Sequence, residues 1–200
     1  MKLPNVSLPK YFSGMTAAKR YASTFQMIAD MLNEADIPAL LAGGFAVNAH
    51  KYSRMTQDID FVIKENDFSK LEPVVPQYGY TPVTRTNIFI RYQSESSNDK
   101  IIDFLFIDAA SFEKMLDDSQ SISIAGKAFK VVSLKHLIAM KLHAARDTAG
   151  KRGQRDFIDI CQLVSANDID IEAGEFRDWC LKYGNADLYK RIRSACKGGV

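Results

Sequence analysis

The sequence has no apolar run near the roughly 20 residues that span a bilayer, so no membrane partner is expected. The segment from Met1 to Phe12 carries a lysine but no apolar core, and therefore reads as lacking a secretory signal. Cysteine is scarce: Cys161, Cys180 and Cys196 are odd in number and form no Cys-x-x-Cys pair. That excludes a disulfide framework or a cysteine zinc site and points to reduced thiols in the cytoplasm. The three histidines, His50, His136 and His143, are too scattered for a histidine-rich metal site. A formal net charge of +2 is too small to argue for nucleic acid by itself, although local basic clusters can bind polyanions. Hydrophobic residues make up 46% and charged residues 25%, an ordinary balance for a globular chain. At 200 residues there is room for one good core with a helical appendage.

The apolar spacing predicts a helix over 14–35 and a short buried strand over 39–42. Gly43-Gly44 turns that strand into a helix over about 45–51. A strand follows at 58–63, then a helix over 67–77 that Pro73 and Pro76 weaken. Strands are expected at 80–85, 88–92 and 101–107, with a polar turn at 94–99. Gly126-Lys127 marks a hairpin between 121–124 and 128–132. From Ser133, a plausible N-cap, the character becomes helical, with helices near 133–148, 154–166, 172–183 and 186–196. The expected class is α/β (α+β): a mixed sheet core flanked by helices in residues 1–132, with a helical region over 133–200 packed on it. No internal repeat or low-complexity segment is visible.

The chemistry concentrates in Leu40 to Ile63. Asp58 and Asp60 lie two apart in Asp58-Ile59-Asp60-Phe61-Val62-Ile63, so a strand points both carboxylates to one face. Like charges that close repel unless a cation sits between them. Asp103 is the single polar residue in Ile101-Ile102-Asp103-Phe104-Leu105-Phe106-Ile107, where burial without a partner is costly. If its strand lies beside the first, three carboxylates converge. Such oxygen-only ligands suit Mg²⁺ or Mn²⁺ shared with substrate phosphates. Two such ions a few ångströms apart serve in-line nucleotidyl transfer. The competing interpretations are a solvated strand face for Asp58 and Asp60, and a lysine pair at a strand end for Asp103.

Gly43-Gly44 lets backbone amides approach a phosphate closely, at a helix start that favours an anion. The alternative is a plain tight turn. Lys141 falls on the apolar stripe of the 133–148 helix and needs an anion, either a bound triphosphate or Asp156 on the next helix. Arg54 stands four residues before the first carboxylate, within reach of phosphate. Residues 146–155 hold four basic side chains, Arg146, Lys151, Arg152 and Arg155, as a phosphate-binding cluster or a solvated loop.

A strand ending in Gly43-Gly44, then 13 residues, then Asp58-Ile59-Asp60, then Asp103 on a later strand resembles the nucleotidyltransferase superfamily of DNA-polymerase-β-type fold. Arg54-Met55-Thr56-Gln57, Leu137-Ile138-Ala139-Met140-Lys141 and Arg155-Asp156-Phe157-Ile158-Asp159-Ile160 resemble the AbiEii-type toxin branch. The resemblance covers about 35–165. It implies transfer of a nucleoside monophosphate from an NTP, with Mg²⁺ or Mn²⁺, to an acceptor hydroxyl. In the toxin branch the implied acceptor is RNA, at the tRNA 3′ end, and the implied protein partner is an antitoxin. The sister aminoglycoside and lincosamide enzymes imply a small-molecule acceptor instead. A third reading is a catalytically silent binding protein of the same fold.

The resemblance assigns Asp58, Asp60 and Asp103 as metal ligands, with Asp103 as base. It assigns Gly43, Gly44 and Arg54 to the nucleotide, and Lys141, oriented by Asp156, to charge neutralisation. Many members have Gly-Ser where this chain has Gly43-Gly44. The departure removes a serine hydroxyl and leaves the backbone contacts.

Overall fold

The structure, a computed structural model, describes residues 21–94, 96, 99–146 and 151–197. Its strands are β1 (Leu40–Leu41), β2 (Asp58–Lys64), β3 (Tyr80–Arg85), β4 (Phe89–Ser94), β5 (Ile101–Ile107), β6 (Gln120–Ile124) and β7 (Lys127–Val131). They form one mixed sheet in the order β3-β4-β5-β2-β1-β7-β6. β2 pairs parallel with β5, and β1 pairs parallel with β7; the remaining pairings are antiparallel. The helices are α1 (Thr24–Glu34), α2 (Gly43–Ala49), α3 (Phe68–Leu71), α4 (Ala109–Asp117), α5 (Leu134–Ala145), α6 (Lys151–Ala166), α7 (Gly174–Tyr183) and α8 (Ala186–Lys197). The expected mixed sheet flanked by helices is observed.

Strand alternation explains where the core sits. Ile59, Phe61 and Ile63 on β2 and Ile102 and Phe104 on β5 are fully buried. Phe61 lies 6.0 Å from Phe104 and 6.0 Å from Phe129 between ring centroids. Phe129 in turn meets Phe25 of α1 edge-on at 5.4 Å. This aromatic chain ties α1 to the centre of the sheet, since such pairs add to the burial of their area. On the C-terminal side, α5 packs against α6 and α7, and α6 and α7 both pack against α8. His50 just after α2 is buried, with Nε2 2.8 Å from the Val132 carbonyl; its own carbonyl accepts from Asn167 Nδ2 at 3.0 Å.

Several elements differ from the sequence expectation. The single helix over 67–77 is instead α3 between two 3₁₀ turns, Glu65–Asp67 and Val75–Tyr78. Pro73 and Pro76 lack the N–H that a continuous helix needs, and Gly79 ends the segment at φ 79°. Helix α4 is absent from the sequence reading. Asp108 caps it by accepting from the Ser111 amide at 2.9 Å, and Phe112 and Met115 anchor it. Helix α2 begins at Gly43 itself rather than two residues later. The expected 14–35 helix starts only at Thr24, because Ser23 caps it by accepting from the Gln26 amide at 3.2 Å, and residues 21–23 are not helical. Residues 14–20 of that expected helix, and residues 147–150 of the basic segment, lie outside the described residues. Among the described residues no helix is long and apolar enough to cross a membrane.

Cys161 and Cys180 are buried, and burial pushes both thiols up to about 12. At pH 8 they therefore stay protonated and resist alkylation in the native protein, and both label once the chain is denatured; mass spectrometry reads the difference. Phe104→Ala leaves a cavity between β2, β4 and the aromatic chain. It is expected to cost about 3–5 kcal/mol in denaturant unfolding.

Candidate active site

Strand register brings the carboxylates together. Asp60 on β2 is the register partner of Asp103 on β5, and Asp103 is the register partner of Arg91 on β4. Arg91, Asp103 and Asp60 thus form one row across three adjacent strands, with Asp58 two residues along β2. Partners in a row project to the same side of the sheet. That side is opposite to Ile59, Phe61 and Ile63, so apolar packing on one face delivers the carboxylates to the other.

Arg91 grips Asp103 in a fork. Its Nε donates to Oδ1 at 2.8 Å and its Nη2 to Oδ2 at 2.6 Å. Nη2 also stands 3.5 Å from Asp58 Oδ2. Asp103 is only 4% exposed, whereas the Asp58 side chain is 39% exposed. The hydrogen bonds Arg91 donates to Asp103, with the charges of Asp103, Asp58 and Asp60, hold its guanidinium well above its ordinary range despite partial desolvation. The polar intruder of β5 is therefore paired with an arginine of the neighbouring strand. Nothing in the spacing of Phe89-Ile90-Arg91-Tyr92 signals this pairing, because it depends on register.

The glycine turn closes on the same carboxylates. The Ala42 amide donates to the Asp60 carbonyl at 2.8 Å, carrying β1 pairing up to the turn. Gly43 has φ +55°, and a Cβ there would overlap Asp60 Oδ2. A Cβ on Gly44 would overlap Thr56 Oγ1. Both glycines are thus required by close approach, the first also by its backbone conformation. The main chain of the turn lies directly against the Asp60 carboxylate with no side chain between.

A second charged cluster lies in the helical layer. Lys141 of α5 places Nζ 2.8 Å from Asp156 Oδ1 and 2.6 Å from Asp159 Oδ2, both on α6. Arg54 grips Asp159 as well, Nε to Oδ1 at 2.7 Å and Nη2 to Oδ2 at 2.8 Å. Asp159 is completely buried. So Lys141 and Asp156 do meet, and the guanidinium of Arg54, expected near phosphate, is engaged by Asp159. The Arg54 amide also donates to Asn48 Oδ1 at 2.9 Å. These bonds latch the segment before β2 to α2 and α6. Asp159 was missed by sequence reasoning. Its signal was available in the spacing Asp156-x-x-Asp159, which puts both carboxylates near one helix face toward Lys141.

A family model described as "Uncharacterised nucleotidyltransferase" matches residues 10–189. The chain belongs to this nucleotidyltransferase family. Solved structures share the fold. The chain is similar to ANT(2″)-Ia in complex with adenylyl-2″-tobramycin, with a TM-score of 0.58 and 15% identity over 86% of this chain and 95% of that one. Against the lincosamide antibiotic adenylyltransferase LnuA, lincomycin-bound, the TM-score is 0.53, with 16% identity over 72% and 96%. An antigenic nucleotidyltransferase-like protein from Paracoccidioides brasiliensis gives 0.52, with 16% identity over 87% and 90%. No curated protein matches the chain. Family membership makes the chain a nucleotidyltransferase; the structural likenesses, at these identities, establish the architecture.

The donor set has the right chemistry for a hard divalent cation, since Asp58 and Asp60 offer oxygen only. The turn at Gly43 leaves the space beside Asp60 clear of a side chain. Both oxygens of Asp103 accept from Arg91. Among the described residues no three His, Cys, Asp or Glu side chains are gathered as a metal-binding group.

The buried latch gives a stability prediction. Asp159→Ala strands the Arg54 and Lys141 cations without their shared carboxylate, and is expected to cost about 3–5 kcal/mol in chemical denaturation. Asp30→Ala, which removes the half-buried partner of Lys127, is expected to cost about 1 kcal/mol or less.

Proposed function

We propose that this nucleotidyltransferase uses Mg²⁺ and an NTP to transfer a nucleoside monophosphate to an acceptor hydroxyl, with pyrophosphate as leaving group. The observation that carries this reading is the Gly43 main chain packed on Asp60, one register step from Asp103 and two residues from Asp58. The turn and the carboxylates then act as halves of one site. Backbone amides of Gly43 and Gly44 face the triphosphate, and Asp58 and Asp60 hold the ion. When bound, the ion supplies charge neutralisation at the triphosphate and a Lewis acid for the reacting oxygens.

Asp103 is the proposed third ligand and the base that takes the acceptor proton. Lys141 has three N–H donors. Two serve Asp156 and Asp159, and the third is the proposed phosphate contact. The Asp156 and Asp159 contacts orient the ammonium, and Arg54 fixes the segment leading into Asp58.

The proposed acceptor is an RNA 3′ end, as the toxin-like segments around Arg54, Lys141 and Asp156 suggest, with an antitoxin as partner in the cytoplasm. A small-molecule acceptor is the second reading. It is favoured by the near-complete coverage of ANT(2″)-Ia, whose structure holds an adenylylated tobramycin. Incubation with each labelled NTP, Mg²⁺ and total tRNA, in parallel with aminoglycosides and lincosamides, separates the two. Label is expected in RNA, and Asp58→Asn or Asp60→Asn is expected to lower it at least about 100-fold. Equal transfer by wild type and variants would contradict the assignment, and label in the drug alone would favour the second reading.

A further inference from the structure

Arg91 was not among the residues expected at the site, yet it touches two of the three carboxylates. Its fork takes both Asp103 oxygens, and the same Nη2 lies 2.6 Å from Asp103 Oδ2 and 3.5 Å from Asp58 Oδ2, so it contacts both carboxylates that a shared cation would need. A guanidinium and a divalent ion compete for the same lone pairs and repel each other at such distances. The same guanidinium supplies the positive charge that lets Asp103 be buried beside Asp60 and Asp58 without an ion. The Arg91 side chain is one-third exposed, so it has a path outward from β4. Asp103 is nearly sealed and has none.

We infer that Arg91 is the positioning residue that holds Asp103 in reserve: the resting site takes one divalent ion at Asp58 and Asp60, and Asp103 becomes a ligand only after the guanidinium has left it. This rests on the proposed metal-dependent reading and adds to it a count of ions and a residue that sets the count. The guanidinium does no chemistry on the substrate. It orders the carboxylates before the ion arrives, and withdraws its hydrogen bonds from Asp103 when the full set is needed.

The test is a Mn²⁺ titration of the nucleotide-free protein, read from the electron paramagnetic resonance signal of the free ion. Wild type is expected to bind one ion per chain. Arg91→Gln is expected to bind that ion at least about tenfold more tightly, because a competing charge is gone, and to take up a second. Adding Asp103→Asn to Arg91→Gln is expected to remove the second ion and keep the first. Circular dichroism melts check that each variant is folded. If Arg91→Gln does not fold, Arg91→Lys keeps the charge, loses the fork, and is expected to tighten binding by a smaller factor. Two ions on wild type, or unchanged or weaker binding in the folded Arg91 variant, would overturn the inference alone. No ion on wild type without nucleotide would also overturn this inference, whereas the metal-dependent reading falls only if no ion binds with NTP present.

Discussion

Three carboxylates on adjacent strands must be reconciled with one another, and the positive charge that does so governs the rest of the site. Register leaves no freedom here: Asp60 faces Asp103 across the β2–β5 pair, and Asp58 follows two residues along. Without a cation, the arrangement is repulsive in a partly desolvated place. Arg91 brings positive charge from β4, with two short bonds to Asp103 and a longer reach to Asp58. The sheet edge formed by β3 and β4 is therefore part of the electrostatics of the centre as well as cover for the core.

The rest of the site is built to keep those carboxylates where register puts them. The opposite face of β2 is locked by Phe61, Phe104 and Phe129. The segment entering β2 is tied down by Arg54, whose bonds to Asp159 make the helical layer a support for the strand face. Asp159 has no exposure and holds two cations, so it couples α5, α6 and the approach to Asp58 in a single buried junction. The glycines contribute by what they lack. Without a Cβ at Gly43, main chain and carboxylate come into contact.

Much of this was legible in the sequence, and the reasons are local ones. Alternation around Asp58, Asp60 and Asp103 reports which faces the strands bury, and Gly43-Gly44 reports a turn after an apolar strand. The seven strands emerge close to their expected bounds because apolar, alternating or β-branched runs between polar breaks mark them. What stayed hidden needs long-range register or close-range competition. The pairing of Arg91 with Asp103 is invisible until β4 is placed beside β5. Arg54 carried a positive charge suited to phosphate, but a carboxylate 105 positions away engages its guanidinium first. Helix α4 escaped because it follows β5 directly, with Asp108 as both the strand's exit and the helix cap. Pro73 and Pro76 were recognised as a weakness, and in the fold they divide one expected helix into α3 and two 3₁₀ turns.

The proposed nucleotide site joins the Gly43-Gly44 turn and the Asp58–Asp60 strand as one unit rather than two neighbouring features. A crystal grown with Mn²⁺ and a non-hydrolysable NTP tests it most directly, through the anomalous signal of the ion. The expected result is an anomalous peak at Asp58 and Asp60, with the triphosphate lying between that ion and the amides of Gly43 and Gly44. A nucleotide bound elsewhere, or an ion at Asp58 and Asp60 with the triphosphate turned away from the glycines, would contradict it.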